Sequence, residues 1–336
     1  MGRVMETSSS PQKAALVIIW VCFWLMLLAL PLQAQTDSTA SRIPFAQKAT
    51  QPNTARIIGV TGAALTAYAA SMFWLNHEWY SQYDRGRFRF FNDNAEWNQI
   101  DKAGHIWTAY SQSLTTMRIY RWAGVQQRPS SYIGGSAGFT FQLGIEILDG
   151  FSEKWGASAG DILANTAGAA WAVGQELLWQ EQRIRIKYSA HIANYSKYPD
   201  VVQQRAKDLY GTALPQKLLK DYNAQSYWLS VNPSAFMQTK PAWFPRWFNI
   251  AAGYKAAGLF GGFENVWTDE EGITHNYTHI DRERIFFISP DIDLSRINTR
   301  SKALKFLFNS LNIIKIPAPA ISVSNSGKWQ GYWLYW

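Results

Sequence analysis

Cysteine is almost absent from this sequence, since the 336 residues contain a single one, Cys22. One thiol excludes a disulfide framework within the chain and a metal site built from cysteines. The sequence also lacks a concentrated basic stripe, because the Lys and Arg that give the net charge of +8 are scattered. A nucleic-acid partner is therefore not expected. The mean hydropathy of −0.20 argues against a membrane protein with spans throughout its length.

Aromatic residues, by contrast, are abundant: the chain has 17 Trp, 16 Tyr and 18 Phe. Trp and Tyr in such numbers suit surfaces that are half apolar and half wet, including membrane interfaces. The basic net charge favours anionic lipid headgroups or phosphate-bearing polymers as partners.

The N-terminus predicts a secretory signal peptide over residues 1–34. A basic start precedes the apolar run Ala14–Leu30, and a small residue, Ala34, stands at the expected cleavage position. A retained anchor helix is the alternative, because the run is at the lower limit for spanning a bilayer. Classical lipidation is not expected, since its cysteine follows the apolar run directly and Cys22 lies in the middle. The polar residues 35–55 predict a linker.

Residues 56–180 predict a mainly α-helical domain, an antiparallel four-helix bundle associated with a membrane. Four segments with helical patterns are joined by short connections: Ile57–Asn76, Gln99–Trp122, Ser130–Asp149 and Ala159–Trp179. The first has no charged residue and is rich in Gly and Ala. This composition is typical of a tightly packed or a membrane-embedded helix.

Residues 181–336 predict a strand-rich, mixed α+β C-terminal region. Alternating polar and apolar residues predict strands at Arg183–Ser189, Tyr227–Val231, Phe248–Lys255, Arg284–Leu294 and Pro319–Ser324. Helices are predicted over residues 199–222 and 299–314, and a polar loop over 263–284. The final stretch, Trp329–Trp336, is predicted to pack as an edge strand or to lie at a membrane interface. The strands are too few and too irregular to predict a closed outer-membrane barrel.

Ionisable residues at the edges of the apolar helices mark a candidate site. Helical spacing places Asp101 and His105 on one face, and Glu146 and Asp149 on one face of another helix. Carboxylates with an imidazole and no thiol suit Mg, Mn, Fe or Zn, so these four are candidate metal ligands and a divalent metal is the candidate cofactor. His105, Glu146 and Asp101 are also candidate catalytic residues, through general acid–base chemistry.

The candidate ligand-binding residues are Lys102, Asp149, Ser158, Asp161 and Asn165. Each has a structural alternative, which for Asp149 is simply the end of a helix before Gly150. Ser158 and Asp161 have the spacing of a capping box, which satisfies donors at a helix start. Asn165 is expected to bond across the bundle. Lys102 either neutralises the carboxylates or is solvated, and the solvated state is favoured.

These motifs resemble an uncharacterised bacterial family of predicted periplasmic lipoproteins typified by YfiM. The shared pattern is Asp101-Lys-x-Gly-His105, Glu146-x-x-Asp-Gly-Phe-Ser152 and Ser158-x-x-Asp-Ile-x-Ala-Asn-x-x-Gly168. Further similar stretches, such as Leu219–Asn223, extend the resemblance over residues 55–336. VanZ-like membrane proteins are more distantly similar.

The resemblance implies an envelope protein with a small helical bundle, and VanZ-like relatives add a link to glycopeptide resistance. It carries no assigned activity. The motif positions that it carries over are Asp101, Lys102, His105, Glu146, Asp149, Asp161 and Asn165. Because this chain lacks the lipidation cysteine of a lipoprotein, its membrane contact is expected to come from helices or aromatic residues.

Together, these patterns predict a cell-envelope protein on the periplasmic side of a membrane, with the outer membrane favoured over the inner. Its partner is predicted to be a membrane lipid or an envelope polymer, and the bundle site to take an anionic lipid or phosphate, with or without a metal. The sequence indicates no particular protein partner. One alternative is a hydrolase or transferase acting on lipid-linked or cell-wall substrates. Another is a structural protein whose motif residues only lock helices together.

Overall fold

The computed structural model describes residues 47–81 and 83–336. The predicted signal peptide, Cys22 and residues 35–46 of the predicted linker lie outside the described residues. The chain forms two compact units. The first extends to Asn92 and includes Thr108–Leu177, and the second comprises Asp93–Trp107 and Leu178–Trp336. A helical first unit and a strand-rich second unit make the fold mixed α+β, with helices followed by the strand-rich C-terminal region that the sequence predicts.

Helix α1, Thr54–Leu75, is the first helix of the described chain. Asn53 caps it, because its side chain accepts a hydrogen bond from the backbone N–H of Arg56 at 3.0 Å. Among the described residues, α1 is the one helix whose length and composition are sufficient to cross a membrane. Its apolar side chains are largely exposed, Ile58 by 67% and Phe73 by 75%. The prediction of a tightly packed helix is therefore wrong here, and that of a membrane-embedded helix stays a prediction.

Three further helices follow: α2 Ile100–Trp122, α3 Gln127–Gly150 and α4 Ala159–Leu178. All four predicted helices are present, with ends close to the predicted ones. Pro129 lies in the first turn of α3, where its missing N–H costs no hydrogen bond. The residues of α2 after Trp107 belong to the first unit. The antiparallel bundle packing of the four helices stays a prediction.

Close contact between α2 and α3 depends on two glycines, Gly134 and Gly138. A Cβ atom at Gly134 would lie 2.5 Å from the carbonyl oxygen of Ser113, and one at Gly138 would lie 2.5 Å from that of Ala109. Both distances are far below van der Waals contact. The two glycines are four residues apart and share one face of α3, so they allow the helix backbones to touch.

An ion-pair network joins α2, α3 and α4. The Arg121 guanidinium lies 2.8 Å from a carboxylate oxygen of Glu176. It also donates to the hydroxyls of Ser130 at 2.9 Å and Ser131 at 3.1 Å. Gln127 donates to the same Glu176 oxygen at 2.9 Å. Because a buried charge is costly without a partner, this network favours one relative arrangement of the three helices.

The second unit is organised around its strands. They are β1 Ile184–Ala190, β2 Gln225–Val231, β3 Phe248–Ala257, β4 Val266–Thr268, β5 Thr274–Asn276, β6 Glu283–Ile292, β7 Ala318–Ser324 and β8 Trp329–Tyr335. Six of them form an antiparallel sheet in the order β1-β2-β3-β6-β7-β8. All predicted strands are present. The terminal strand β8 lies at the edge of the sheet, which is the first of the two alternatives predicted for residues 329–336.

The prediction of a polar loop over residues 263–284 is wrong, because β4 and β5 form a hairpin there. In this hairpin, Trp267 pairs with His275, whose ring lies 2.6 Å from the Asp269 carboxylate. Trp267 also belongs to a buried cluster with Phe260. Strands of three residues are too short to show an alternating pattern, which is why the sequence did not reveal them.

Three helices pack in the second unit: α5 Asp200–Tyr210, α6 Leu214–Lys220 and α7 Lys302–Leu311. The helix predicted over residues 199–222 is divided at Gly211, where φ is +76° and favours glycine. The N-terminus of α7 is capped by Ser301, which accepts from the N–H of Leu304 at 3.3 Å.

The two faces of the six-stranded sheet differ in burial and polarity: the buried face carries many polar groups, and the more exposed face is apolar. The inner face is buried and carries an apolar cluster around Trp228 and Phe287 together with many polar groups. Lys187 and Asp291, both fully buried, form an ion pair at 2.7 Å, and Arg185 pairs with Asp293 at 3.0 Å. One end of the outer face is buried, because Tyr227 and Ala256 pack there with Ile100. The rest is apolar and largely exposed; its exposed side chains include Leu229, Ile250, Phe286, Ile288 and Ile321.

Candidate functional site

The predicted site residues fall into two sets, one in each unit. The first unit holds Glu146, Asp149, Ser158, Asp161 and Asn165, and the second holds Asp101, Lys102 and His105. The first set lies on α3, on α4 and just before α4. The second set lies in the first two turns of α2.

Two carboxylates of the first set, Glu146 and Asp161, are close together and buried. Glu146 is 2% exposed and Asp161 is 6% exposed. One carboxylate oxygen of each lies within 4.8 Å of the other. We call these two residues the carboxylate pair. Two negative charges at this distance repel each other, so the site favours a proton, hydrogen-bond donors or a cation. Carboxylate oxygens are the ligands preferred by hard divalent cations.

Ser158 connects the carboxylate pair to the start of α4. Its hydroxyl accepts a hydrogen bond from the N–H of Asp161 at 3.1 Å, as the capping pattern predicts. Its own N–H donates to a carboxylate oxygen of Glu146 at 3.0 Å. Glu146 therefore lies at the N-terminal end of α4, where the helix dipole stabilises negative charge.

The other two residues of the first set make contacts between elements of their unit. Asn165, fully buried on α4, accepts a hydrogen bond from Gln142 on α3 at 3.2 Å. This contact agrees with the expectation that Asn165 bonds across the helices. Asp149 accepts a hydrogen bond from the Tyr80 hydroxyl at 2.9 Å. Tyr80 has no place in the sequence motifs, and only the structure reveals it as a partner.

Lys102 is the centre of the second set. Its ammonium lies 2.7 Å from a carboxylate oxygen of Asp93 and 3.0 Å from one of Asp101. The Lys102 side chain is only 13% exposed. The favoured prediction that it is solvated is therefore wrong, and the alternative that it neutralises carboxylates is correct. Asp93 was missed by the sequence reasoning, because it lies before α2 and outside the motifs.

Asp101 and His105 lie one turn apart on α2, and their charges interact. Burial raises the pKa of the Asp101 carboxyl, while Lys102 and, more weakly, His105 oppose that rise. Between them, Gly104 faces Tyr227, and a Cβ atom there would lie 2.9 Å from the tyrosine hydroxyl oxygen. The glycine of this motif thus has a packing role. The catalytic roles of His105, Glu146 and Asp101, and the metal-ligand roles of Asp101, His105, Glu146 and Asp149, stay predictions.

Comparison with known proteins finds a family match over part of the chain. Residues 88–176 match the family described as "Predicted periplasmic lipoprotein (DUF2279)", and this stretch contains all eight predicted site residues. No curated protein and no solved structure matches the chain. The likeness to YfiM and VanZ, and the choice between outer and inner membrane, stay predictions. The match supports a family of predicted periplasmic lipoproteins, and with it an envelope protein on the periplasmic side, associated with a membrane and of unknown activity.

Proposed function

We propose that the chain is an envelope protein whose carboxylate pair, Glu146 and Asp161, binds a divalent cation and through it an anionic ligand such as a lipid phosphate. One observation carries the proposal: two carboxylates buried in the helical unit, with oxygens within 4.8 Å of each other. A cation between them would stabilise both charges in a place where water does not.

The chemistry of the pair favours a hard cation. Both ligands are carboxylates, and oxygen donors suit Mg²⁺, Ca²⁺ or Mn²⁺ better than softer metals. Such cations keep open coordination positions that phosphate oxygens fill. The anionic ligand would then be held through the metal, and the location in the envelope makes a lipid headgroup the expected source of the phosphate.

Metal content tests the proposal. Full-length protein purified in detergent is equilibrated with Mg²⁺, Ca²⁺ or Mn²⁺, desalted and measured by mass spectrometry. Wild type is expected to retain one of these cations stoichiometrically. Glu146→Gln and Asp161→Asn are expected to lose it, because each removes a charged ligand while nearly keeping its shape.

Glu176→Gln is the matched control, since Glu176 lies on α4 like Asp161 and is also 6% exposed. It should keep the cation, and melting temperatures show whether each variant is folded. Wild type without bound cation, or equal loss in the control, would refute the cation site. Vesicles with phosphatidic acid and free inorganic phosphate, each titrated with and without the cation, then separate a lipid from a soluble ligand.

A further inference from the structure

The outer face of the sheet carries an uninterrupted apolar row across five strands. The strand register places Leu229, Ala252, Ile288, Ile321 and Gly331 side by side, from β2 to β8. Leu229 is 47% exposed, and Ile288 and Ile321 are each 59% exposed. The row contains no charged residue. A sheet face in contact with water normally carries polar side chains. The apolar composition of this face therefore indicates contact with another apolar surface and not with water.

A second row on the same face strengthens the point. The register places Phe286, Val323 and Trp329 side by side. Tyr254, the next residue of this row, is partly buried, and its hydroxyl donates to the Asn98 carbonyl oxygen and accepts from Arg284. Phe286 is 49% exposed and Trp329 is 74% exposed. Two adjacent rows form a continuous apolar surface rather than scattered single residues, which are common on soluble proteins.

The inner face carries buried polar and charged side chains beside its apolar cluster around Trp228 and Phe287. Asn249 donates to the Ser230 hydroxyl at 2.8 Å, and Ser230 donates to Asp291 at 2.6 Å, beside the buried Lys187–Asp291 ion pair. In water, burial favours apolar residues inside and polar residues outside. Polar side chains on the inner side of strands and apolar side chains on the outer side are typical of strands that face hydrocarbon.

Tryptophans mark both ends of the apolar surface. Trp329 begins β8 at one end. At the other end, Trp247, 41% exposed, immediately precedes β3, and Trp333, 93% exposed, lies near the end of β8. Trp is enriched where hydrocarbon meets headgroups. The net charge of +8 complements the anionic headgroups of an envelope membrane.

We propose that the outer face of the six-stranded sheet lies against the acyl chains of a lipid bilayer. The two strands at its centre, β3 and β6, have 10 residues each, a length that suits strands in contact with hydrocarbon. The strand length, the Trp residues at both ends and the basic net charge favour lipid, and not a second protein surface, as what covers this face. This inference does not depend on the carboxylate pair.

Site-specific fluorescence tests the contact. A single cysteine is introduced by Ile288→Cys or Ile321→Cys into a Cys22→Ser background and labelled with an environment-sensitive fluorophore. The full-length protein is reconstituted into vesicles of phosphatidylethanolamine and phosphatidylglycerol. Labels at 288 and 321 are expected to lose fluorescence when the lipids carry bromine on their acyl chains. Because the label reports its own surroundings, a membrane anchor elsewhere in the chain does not produce this result.

Ile273→Cys is the matched control, since Ile273 is 57% exposed but lies in the hairpin between β4 and β5. Its label should keep its fluorescence in brominated vesicles. Unquenched labels at 288 and 321, or equal quenching at 273, would overturn the proposal. A bifunctional thiol reagent tests whether a second copy of the chain covers the face instead. If the labels are insensitive to brominated lipid and the reagent crosslinks two chains through position 288, the proposal is overturned in favour of a second copy.

Discussion

Replacing Lys187 with Met is expected to destabilise the sheet strongly. Lys187 and Asp291 are both fully buried, and their charged atoms lie 2.7 Å apart. The lysine ammonium also donates to the carbonyl oxygen of Ile292 at 2.7 Å. Met fills a similar volume but leaves Asp291 without this cation. Breaking a buried ion pair from one side costs about 3–5 kcal/mol. Asp291 keeps the hydrogen bond from Ser230, so we expect a value near the lower limit.

The double variant Lys187→Met, Asp291→Leu separates pairing from packing. Removing both charges leaves neither member of this pair buried without the other, and such replacements are often neutral or stabilising. Ser230 then loses its acceptor, at a cost of roughly 1–3 kcal/mol. The double variant is therefore expected to be less destabilised than the sum of the two single variants, with a favourable coupling between the sites.

Hydrogen exchange measured by mass spectrometry gives the free energy of local opening for peptides that cover β1 and β6. This local measurement suits a chain with two units, for which a single unfolding free energy is not well defined. Two results would refute the reasoning: unchanged exchange in Lys187→Met, or single-variant losses that simply add in the double variant.

Two further predictions concern pH and capping. Burial and the neighbouring Lys255 lower the pKa of His191 to about 4 from its ordinary 6.5. The unfolded chain therefore binds the proton first, and stability present above pH 6.5 is lost as the pH falls towards 4. The stability lost is roughly 1–2 kcal/mol, less than the full pKa shift would give, because the His191 ring is partly exposed to solvent. The melting temperature of wild type should therefore fall over this pH range, and that of His191→Gln should not show this loss. Ser158→Ala should cost about 1 kcal/mol by removing the cap of α4. Exchange should then rise in the first turn of α4, and an unchanged first turn would contradict the capping role.

The helices were predictable because local features define them. Apolar segments of helical length and the capping pattern at Ser158 are visible in the sequence, whereas the Asn53 cap of α1 is revealed only by the structure. The polarity of the sheet was not predictable in the same way. Charged residues such as Arg185 and Lys187 alternate with apolar residues along β1. This pattern shows that the two faces of the sheet differ in polarity, but it does not show which face is buried. The usual rule would place the charged face in water, and the structure buries it.

The candidate site was predictable only in part. Spacing within a helix identifies residues that share a face, but the rotation of each helix decides which faces meet. That is why Glu146 lies close to Asp161, a residue of another helix, while Asp149 bonds to Tyr80. The pairing of Lys102 depends on Asp93, whose position is set by the chain before α2 and by no local pattern.

The discontinuity of the second unit imposes an order on its assembly. Its first segment, Asp93–Trp107, is synthesised early, but its partners come much later. The N–H of Trp97 donates to the carbonyl oxygen of Gly262 at 2.7 Å, and Ile100 shares a buried cluster with Leu259. Contacts at such separation close slowly. A nascent chain therefore leaves this segment, including the apolar side chain of Ile100, without its native partners until Gly262 has emerged, and in that interval we expect it to be open to chaperones and proteases.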